Sequence, residues 1–328
     1  MGKICMLGDV AILRSGRSCQ SIPFSGVRNI RISDVKPYNI LGDDFVSPSH
    51  TDNKLENGDI LLPRTGKYTR PYLYQTIDGP ACFASFFYKV SAISCDPLML
   101  YFQICSHRFQ DWLLTVKTGR NVTIKALQDY PFLKVSNVPV LMLALAEKQI
   151  REQITLVCLL EERLQSYLRQ KYTEECNTTV GKLCEPLPSA YADKEGSTPV
   201  MGTDGICGYS NKPGYKNASV GIAKTGFPHL YMVPMGMVGS PRMFCLKPLI
   251  PVSCLYDILM AVELEKYVSK GPIPHMYFKD IKDIPCRYLD DGGRNASNLI
   301  KIQISEAKQS LQEMEKRYQL LLDIAFPE

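Results

Sequence analysis

Asp59-Ile-Leu-Leu-Pro-Arg-Thr-Gly66 and Ser219-Val-Gly-Ile-Ala-Lys-Thr-Gly226 are two versions of one pattern, an apolar run delivered into a basic residue, a threonine and a glycine. Other pieces recur around them in the same order. Gly2-Lys-Ile-Cys5 is matched by Gly181-Lys-Leu-Cys184, and Lys117-Thr-Gly119, which leads into Val138-Pro139, by Ser269-Lys-Gly271, which leads into Ile284-Pro285. Beyond each proline lies a segment able to form a long helix. The order is kept while loop lengths differ, which describes two copies of one unit, each a globular domain followed by a helix; two copies are too few for a solenoid.

Between these landmarks the first copy, residues 1–139, mixes short apolar runs with Gly, Pro, Asn and Asp in the manner of strands and turns. Ile30–Ile32, Asp59–Leu62 and Cys82–Val90 read as strands. Pro97 to Leu114 reads as one helix, with Asp96 as its cap and Pro97 in its first turn, and Val252 to Val268 as its counterpart in the second copy. An α+β domain occurring twice follows.

The helices after each domain carry the clearest periodicity. Ile300, Ile304, Ala307, Leu311, Met314, Tyr318, Leu321 and Ala325 alternate steps of four and three, the spacing of a coiled-coil seam. Ile150, Ile154, Val157, Leu164 and Leu168 keep the same register in the first helix, with Glu161 interrupting the stripe beside Leu160. Helices from about Leu141 to Tyr172 and about Asn295 to Phe326 would each be about 45 Å long at about 1.5 Å per residue. The expected architecture is two similar domains, residues 1–139 and 175–290, joined by two long antiparallel coiled-coil helices, 140–174 and 291–328, about an approximate twofold axis. A spacer of that length exceeds one turn of B-DNA slightly, a separation at which two modules reach grooves on one face of a duplex.

Composition narrows the function classes. With 328 residues, 45% hydrophobic and 22% charged, the chain has room for two cores of about 100 to 150 residues each. A net charge of +5 permits an anionic partner without demanding one. No uncharged apolar run approaches the ~18 residues of a membrane span. The cysteines are dispersed, no Cys-x-x-Cys occurs, and His50, His107, His229 and His275 stand apart from them. Buried thiols in a reducing cytoplasm, with no zinc, are the expectation.

Motifs of catalysis are missing. There is no Gly-x-Gly-x-x-Gly, no Walker spacing after Gly66, no Gly-x-Ser-x-Gly and no His-Glu-x-x-His. Asp257, Glu263, Glu265 and Lys266 read as solvated helix charges rather than a nuclease cluster. What recurs is basic, hydroxyl and amide groups in turns, the groups that donate to phosphate oxygens and base edges. In the first copy these are Arg14, Arg17, Arg28, Asn29, Arg31, Arg64, Thr65, Lys67 and Tyr68; in the second, Asn211, Lys212, Lys224 and Thr225. For any one of them a solvated turn suffices, but folding alone does not require a basic residue before Thr-Gly at the same point of both copies.

Two such domains, each ending in a variable-Pro segment and a long helix, resemble the specificity subunit of type I restriction-modification enzymes. The resemblance rests on Leu55 to Gly66, Gly119 through Leu127 to Val138-Pro139, and Glu147-Lys-Gln149 in the first copy. In the second it rests on Pro199 to Gly208, Val220 to Gly226 and Phe278 to Pro285. It implies that each domain is a target-recognition domain reading one half of a bipartite double-stranded DNA sequence, and that the paired helices set the gap and dock DNA adenine methyltransferase subunits. It also implies that S-adenosylmethionine and ATP belong to partner methyltransferase and restriction/translocase subunits, with no cofactor in this chain. A non-catalytic scaffold whose twin domains grip two protein partners is the alternative from a different class.

Overall fold

The computed structural model describes residues 3–65, 70–117, 119, 121–193, 196–271, 274–288 and 294–327. The chain divides into two compact units, Met1–Leu156 with Ala307–Glu328, and Val157–Glu306. The divisions fall inside the two long helices, so each helix contributes one end to each unit instead of standing as a separate spacer domain.

In the first unit β1 (Lys3–Met6) runs into a one-turn helix α1 (Leu7–Val10) and on into β2 (Ala11–Ser15). Five short strands follow, β3 (Ser21–Pro23), β4 (Arg28–Ile30), β5 (Val35–Lys36), β6 (Ile40–Leu41) and β7 (Val46–Pro48). Then come β8 (Ile60–Pro63), β9 (Tyr72–Leu73), β10 (Ala81–Phe83) and β11 (Phe87–Ala92). Helices α2 (Pro97–Cys105), α3 (His107–Val116) and α4 (Ile124–Gln128) lead through β12 (Pro131–Lys134) to α5 (Asn137–Thr173). The main sheet has the order β2-β11-β8-β9 and is antiparallel throughout. Ile60, Leu61 and Leu62 are all fully buried because β8 is central and covered on both faces, which explains an unbroken apolar run rather than an alternating one.

The second unit repeats the plan with β13 (Thr178–Thr179), α6 (Val180–Leu183), β14 (Cys184–Leu187), β15 (Thr198–Gly202) and β16 (Gly205–Ser210). It continues with β17 (Ser219–Ala223), β18 (Leu230–Val233), β19 (Val238–Gly239) and β20 (Met243–Pro248). Last come α7 (Val252–Ala261), α8 (Phe278–Ile281), β21 (Pro285–Cys286) and α9 (Arg294–Ala325). Its main sheet, β14-β20-β17-β18, has the order of the first with each strand replaced by its counterpart. Even the parallel pair recurs, β4 with β10 in one unit and β15 with β19 in the other.

Topology corrects the ends of the sequence repeat. Gly181 corresponds to Gly8, not Gly2, since α6 is the counterpart of α1. A Cβ on Gly8 would sit 3.1 Å from Gln128 at the end of α4, and one on Gly181 2.9 Å from Lys282 just after α8. Both glycines exist to let the one-turn helix lie against that chain end. Likewise Ile284-Pro285 corresponds to Tyr130-Pro131 rather than Val138-Pro139. Leu7 N donates to Tyr130 O at 2.9 Å, and Val180 N to Ile284 O at 3.1 Å. Pro139 stands instead in the first turn of α5, a position where its missing N–H is no loss.

Other local expectations shift for identifiable reasons. The helix read as Pro97–Leu114 breaks at Ser106, whose extended backbone and side-chain oxygen cap the N–H of Phe109 and start α3. The run Cys82–Val90 is two strands because a turn closed by Phe87 N to Ala84 O separates β10 from β11. The second-copy helix ends at Ala261, with a 3₁₀ turn over Leu264–Tyr267 beyond it.

Within each unit the long helices pair in opposite directions. In the first, Ile150 is fully buried with Tyr318, Leu322, Ala325 and Phe326, while Ile154, Leu311, Met314 and Leu321 pack at the margin of the core. Gln153 Nε2 donates to the Ala307 carbonyl at 2.9 Å. In the second, Leu164, Leu168, Ile300 and Ile304 are buried in the core and Leu160 packs against it, with Glu161 exposed; Val157 is 7% exposed. Near the end of α9 the stripe passes from Leu321 to Leu322, the drift expected when a 3.6-residue helix carries a 3.5-residue pattern.

Each unit also buries a carboxylate where a domain helix meets a long helix. Glu147 of α5, 4% exposed, accepts from the Tyr101 hydroxyl at 2.7 Å and from Arg151 Nη1 at 3.2 Å. Burial lifts its carboxyl above the ordinary carboxylate range, and Tyr101 and Arg151 draw it part of the way back. In the second unit Asp257 of α7, 4% exposed, is bonded by Lys301 and by Ser297 Oγ at 3.4 Å, both from α9. Asp257 is therefore no solvated helix charge, and Glu263 pairs with Lys266 and, at 3.4 Å, with Arg169.

The seam makes a contrast within one helix. Leu168→Ala is expected to cost about 2–5 kcal/mol, and Leu159→Ala, at a site 57% exposed on the same helix, less than about 0.5 kcal/mol; urea titrations measure both. For Glu147 the folded state holds the proton more tightly than the unfolded chain, whose reference value is 4.5. Its contribution is therefore complete below that pH and is lost as pH rises through the raised folded value. Glu147→Gln keeps an acceptor for Tyr101 without the charge, so the fall in denaturation midpoint from pH 4.5 to neutrality becomes shallower. Equal slopes in the two proteins would remove Glu147 from the pH response.

Candidate nucleic-acid interface

The repeated basic-Thr pair, Arg64-Thr65 and Lys224-Thr225, occupies the same place in both units, the exit of a central sheet strand. Thr65 and Thr225 each form an isolated antiparallel bridge, with Asn121 and His275 respectively. Those two partners stand at the same point, in the lead-in to α4 and to α8. The preceding basic residue is fixed by its backbone: Arg64 N donates to Phe86 O and Lys224 N to Arg242 O, both at 2.9 Å. The strand thus delivers each basic side chain to an edge of its domain, and a second chain segment fastens the threonine beyond it.

In the first unit the Arg64 guanidinium lies over the Tyr88 ring, 5.0 Å from its centroid, and donates to Ser85 O at 3.0 Å and Ser15 Oγ at 3.4 Å. It is partly exposed and oriented, with donors remaining for an incoming acceptor. Arg14 is exposed on the adjoining β2, opposite Lys89. Arg17 is exposed and makes only a loose 3.6 Å ion pair with Asp52. Lys67 and Tyr68 lie outside the described residues.

Arg28, Asn29 and Arg31 are not brought to this edge, and the first two are not at the surface. Arg28 is 5% and Asn29 2% exposed, in the β4–β10 pair. The Arg28 side chain donates to the Gly42 carbonyl and lies 4.3 Å from the centroid of Phe45. Asn29 Nδ2 donates to Ser21 Oγ at 3.3 Å. Arg31 is committed to Asp34 at 2.8 Å and Asp44 at 2.6 Å. The alternation that marked these residues as candidates is that of a strand whose polar groups serve its own sheet and turn.

In the second unit Lys224 is partly exposed and Thr225 exposed, and Gly226 has φ +75°, the left-handed conformation a glycine is needed for. An aromatic and basic surface surrounds the turn. Phe227, 61% exposed, packs on His229 with ring centroids 5.3 Å apart. His275 stacks on Tyr277 at 6.4 Å, and Lys279 lies 5.6 Å from the Tyr277 centroid. Asn211 and Lys212 follow β16 and so sit on the smaller β16-β15-β19 sheet. Asn211 donates to Asp193 at 2.9 Å and Lys212 to Ser189 O at 3.2 Å, both still exposed.

The sequence reading passed over Phe86, Phe227, Tyr277 and Arg242. None belongs to a repeated motif; what brings Phe86 and Arg242 forward is their shared backbone bond to the basic residue, a long-range relation. A second surface was also missed. Val138, Leu141, Met142 and Leu145 form a helical stripe on α5 that is 65%, 61%, 51% and 58% exposed, apart from the buried seam. Among the described residues no group of His, Cys, Asp and Glu could hold a metal ion, and no helix is long and apolar enough to cross a membrane.

The fold is that of type I restriction-modification S subunits. The S subunit of a Type-I restriction-modification system from M. genitalium matches over 100% of this chain and 96% of its own, with 13% identity and a TM-score of 0.54. A structure described as the basis of complex assembly and conformational transition of the type I R-M system matches over 99% of this chain and 97% of its own, with 15% identity and a TM-score of 0.55. No family model and no curated protein sequence matches the chain.

The two fates of the first-unit arginines give a stability test. Arg31→Ala strips the 4%-exposed Asp34 of its charged partner and is expected to cost about 1–3 kcal/mol. Arg14→Ala, at an exposed site, should change stability by less than about 0.5 kcal/mol. Chemical denaturation of the two variants decides whether Arg31 serves the fold.

Proposed function

We propose that the chain is the sequence-reading subunit of a type I restriction-modification assembly. It binds double-stranded DNA, each unit reads one half of a bipartite target, and catalysis resides elsewhere. The observation that carries the reading is the doubled turn: the same strand exit offers Arg64-Thr65 in one unit and Lys224-Thr225 in the other, each held by the same bridge to the segment before a short helix. Full-length likeness of fold to the S subunit from M. genitalium supports it. Arg14, Arg17, Arg64, Thr65, Lys224 and Thr225 are the DNA contacts of this reading, with Asn211 and Lys212 beside them on the smaller sheet; Lys67 and Tyr68 belong to the same turn in sequence.

The methyltransferase and the restriction/translocase are the partner subunits, and S-adenosylmethionine and ATP are bound by them. The exposed apolar stripe from Val138 to Leu145 supports a protein partner on α5, since water-facing apolar patches of this kind mark interaction surfaces. Cytoplasmic residence follows from a substrate that is cellular DNA.

The test is binding to duplexes at several salt concentrations together with selection from randomised duplexes. The logarithm of affinity is expected to fall linearly with the logarithm of salt, and one sequence in two parts is expected to be enriched. Arg64→Ala and Lys224→Ala should each weaken binding and flatten the salt slope by about one unit. Salt-insensitive association with protein alone, and no enriched duplex, would overturn the reading in favour of a scaffold.

A further inference from the structure

Beside Lys224 the second unit has a cleft of about 410 Å³ whose walls are the β15–β16 hairpin and the turn Ser240-Pro241-Arg242, with Tyr191 and Asp204 also lining it. Two groups here stand without partners among the described residues. Ser240 is 5% exposed and its Oγ is buried behind the cleft with no hydrogen bond. Arg242 is exposed, and its guanidinium meets no partner among the described residues, whereas Arg31, Arg151 and Arg287 are all paired.

The backbone holds Arg242 in place from both sides. Lys224 N donates to its carbonyl at 2.9 Å, and Met243 N, the next residue, donates to Ser240 O at 3.1 Å. In the first unit the same bond from Arg64 N places Phe86, 63% exposed, at the equivalent point. The fold therefore fixes one outward-facing position per unit, next to the repeated basic residue, and fills it with chemically different side chains. A position that is constant in geometry and variable in chemistry suits readout, while Arg64 and Lys224, alike in charge, suit phosphate.

We propose that this cleft is the base-reading site of the second unit and that its ligand is the major-groove edge of a G·C pair; this rests on the DNA-binding function proposed above. The planar guanidinium of Arg242 offers two parallel donors to guanine O6 and N7, and the carboxylate of Asp204 accepts from cytosine N4. An A·T pair presents a donor where guanine presents O6 and no N4 donor, so it satisfies neither group.

The experiment selects duplexes from a pool randomised across both half-sites, using the full-length chain as wild type, Arg242→Ala, Arg242→Lys and Ser240→Ala. Wild type is expected to require guanine at one position of one half-site. Arg242→Ala should reduce that preference about 5- to 150-fold at that position alone, Arg242→Lys should not restore it because an ammonium lacks the planar fork, and Ser240→Ala, at a hydroxyl that no base reaches, should leave it unchanged. Loss of binding spread evenly over all sequences and restored by Arg242→Lys would make Arg242 a phosphate contact and overturn the assignment. A selective wild type with an unchanged Arg242→Ala overturns the assignment alone, whereas a wild type without any sequence preference overturns the proposed function as well.

Discussion

Everything in this chain depends on an apolar seam that neither unit can complete from its own domain. The core of the first unit includes Ile150 from α5 and Tyr318, Leu322, Ala325 and Phe326 from the last turns of α9, all under 10% exposed. That of the second includes Leu164, Leu168 and Tyr172 from the end of α5 with Ile300 and Ile304 from the start of α9. The face of each main sheet that carries Ile60 and Leu62, or Val220 and Ile222, packs on a layer of helices, and the long helices complete that layer in both units. The first unit is thereby closed by residues contributed from the far end of the sequence, so its folding waits on chain closure over nearly the whole length.

Upon this common frame the two units separate what must be constant from what may vary. Strand order, the parallel pair, the one-turn helix held by a glycine and the Thr bridge are the same in both. The side chains displayed at the strand exits differ, arginine over a tyrosine in one and lysine beside stacked histidine and tyrosine in the other. Backbone hydrogen bonds carry the shared part and are blind to side-chain identity, which is why sequence identity can fall to 13% against a solved structure of the same fold.

The same logic explains how much could be read without coordinates. The long helices were legible to within about a turn, 141–172 against the observed Asn137–Thr173, because a seam imposes a period on many positions. The basic-Thr-Gly turn was legible because it occurs twice. The ends of the repeat slipped, with Gly2 taken for Gly8 and Pro139 for Pro131, since a glycine or proline in isolation does not say which strand it serves. Burial of Arg28 and Asn29 was invisible because their strand belongs to a minor parallel pair whose partner, β10, lies far along the chain. Arg242 was invisible for a related reason: its proximity to Lys224 is created by pairing β17 with β20, and nothing local announces it.

An apolar stripe can slide by one heptad and still bury much of its surface, so hydrophobicity closes the units without fixing register. The buried carboxylates do what the stripe cannot. Tyr101 of α2 donates to Glu147 of α5 in the first unit, and Lys301 and Ser297 of α9 hold Asp257 of α7 in the second. The acid sits on the long helix in one case and on the domain helix in the other, so the two locks share a purpose rather than an ancestral residue. Removing one partner from such a pair strands a charge in a low dielectric, and a slipped helix would do the same. Each lock therefore excludes the neighbouring registers of one long helix against its domain, and the strand exits that carry Arg64 and Lys224 inherit that fixed relation to the helices.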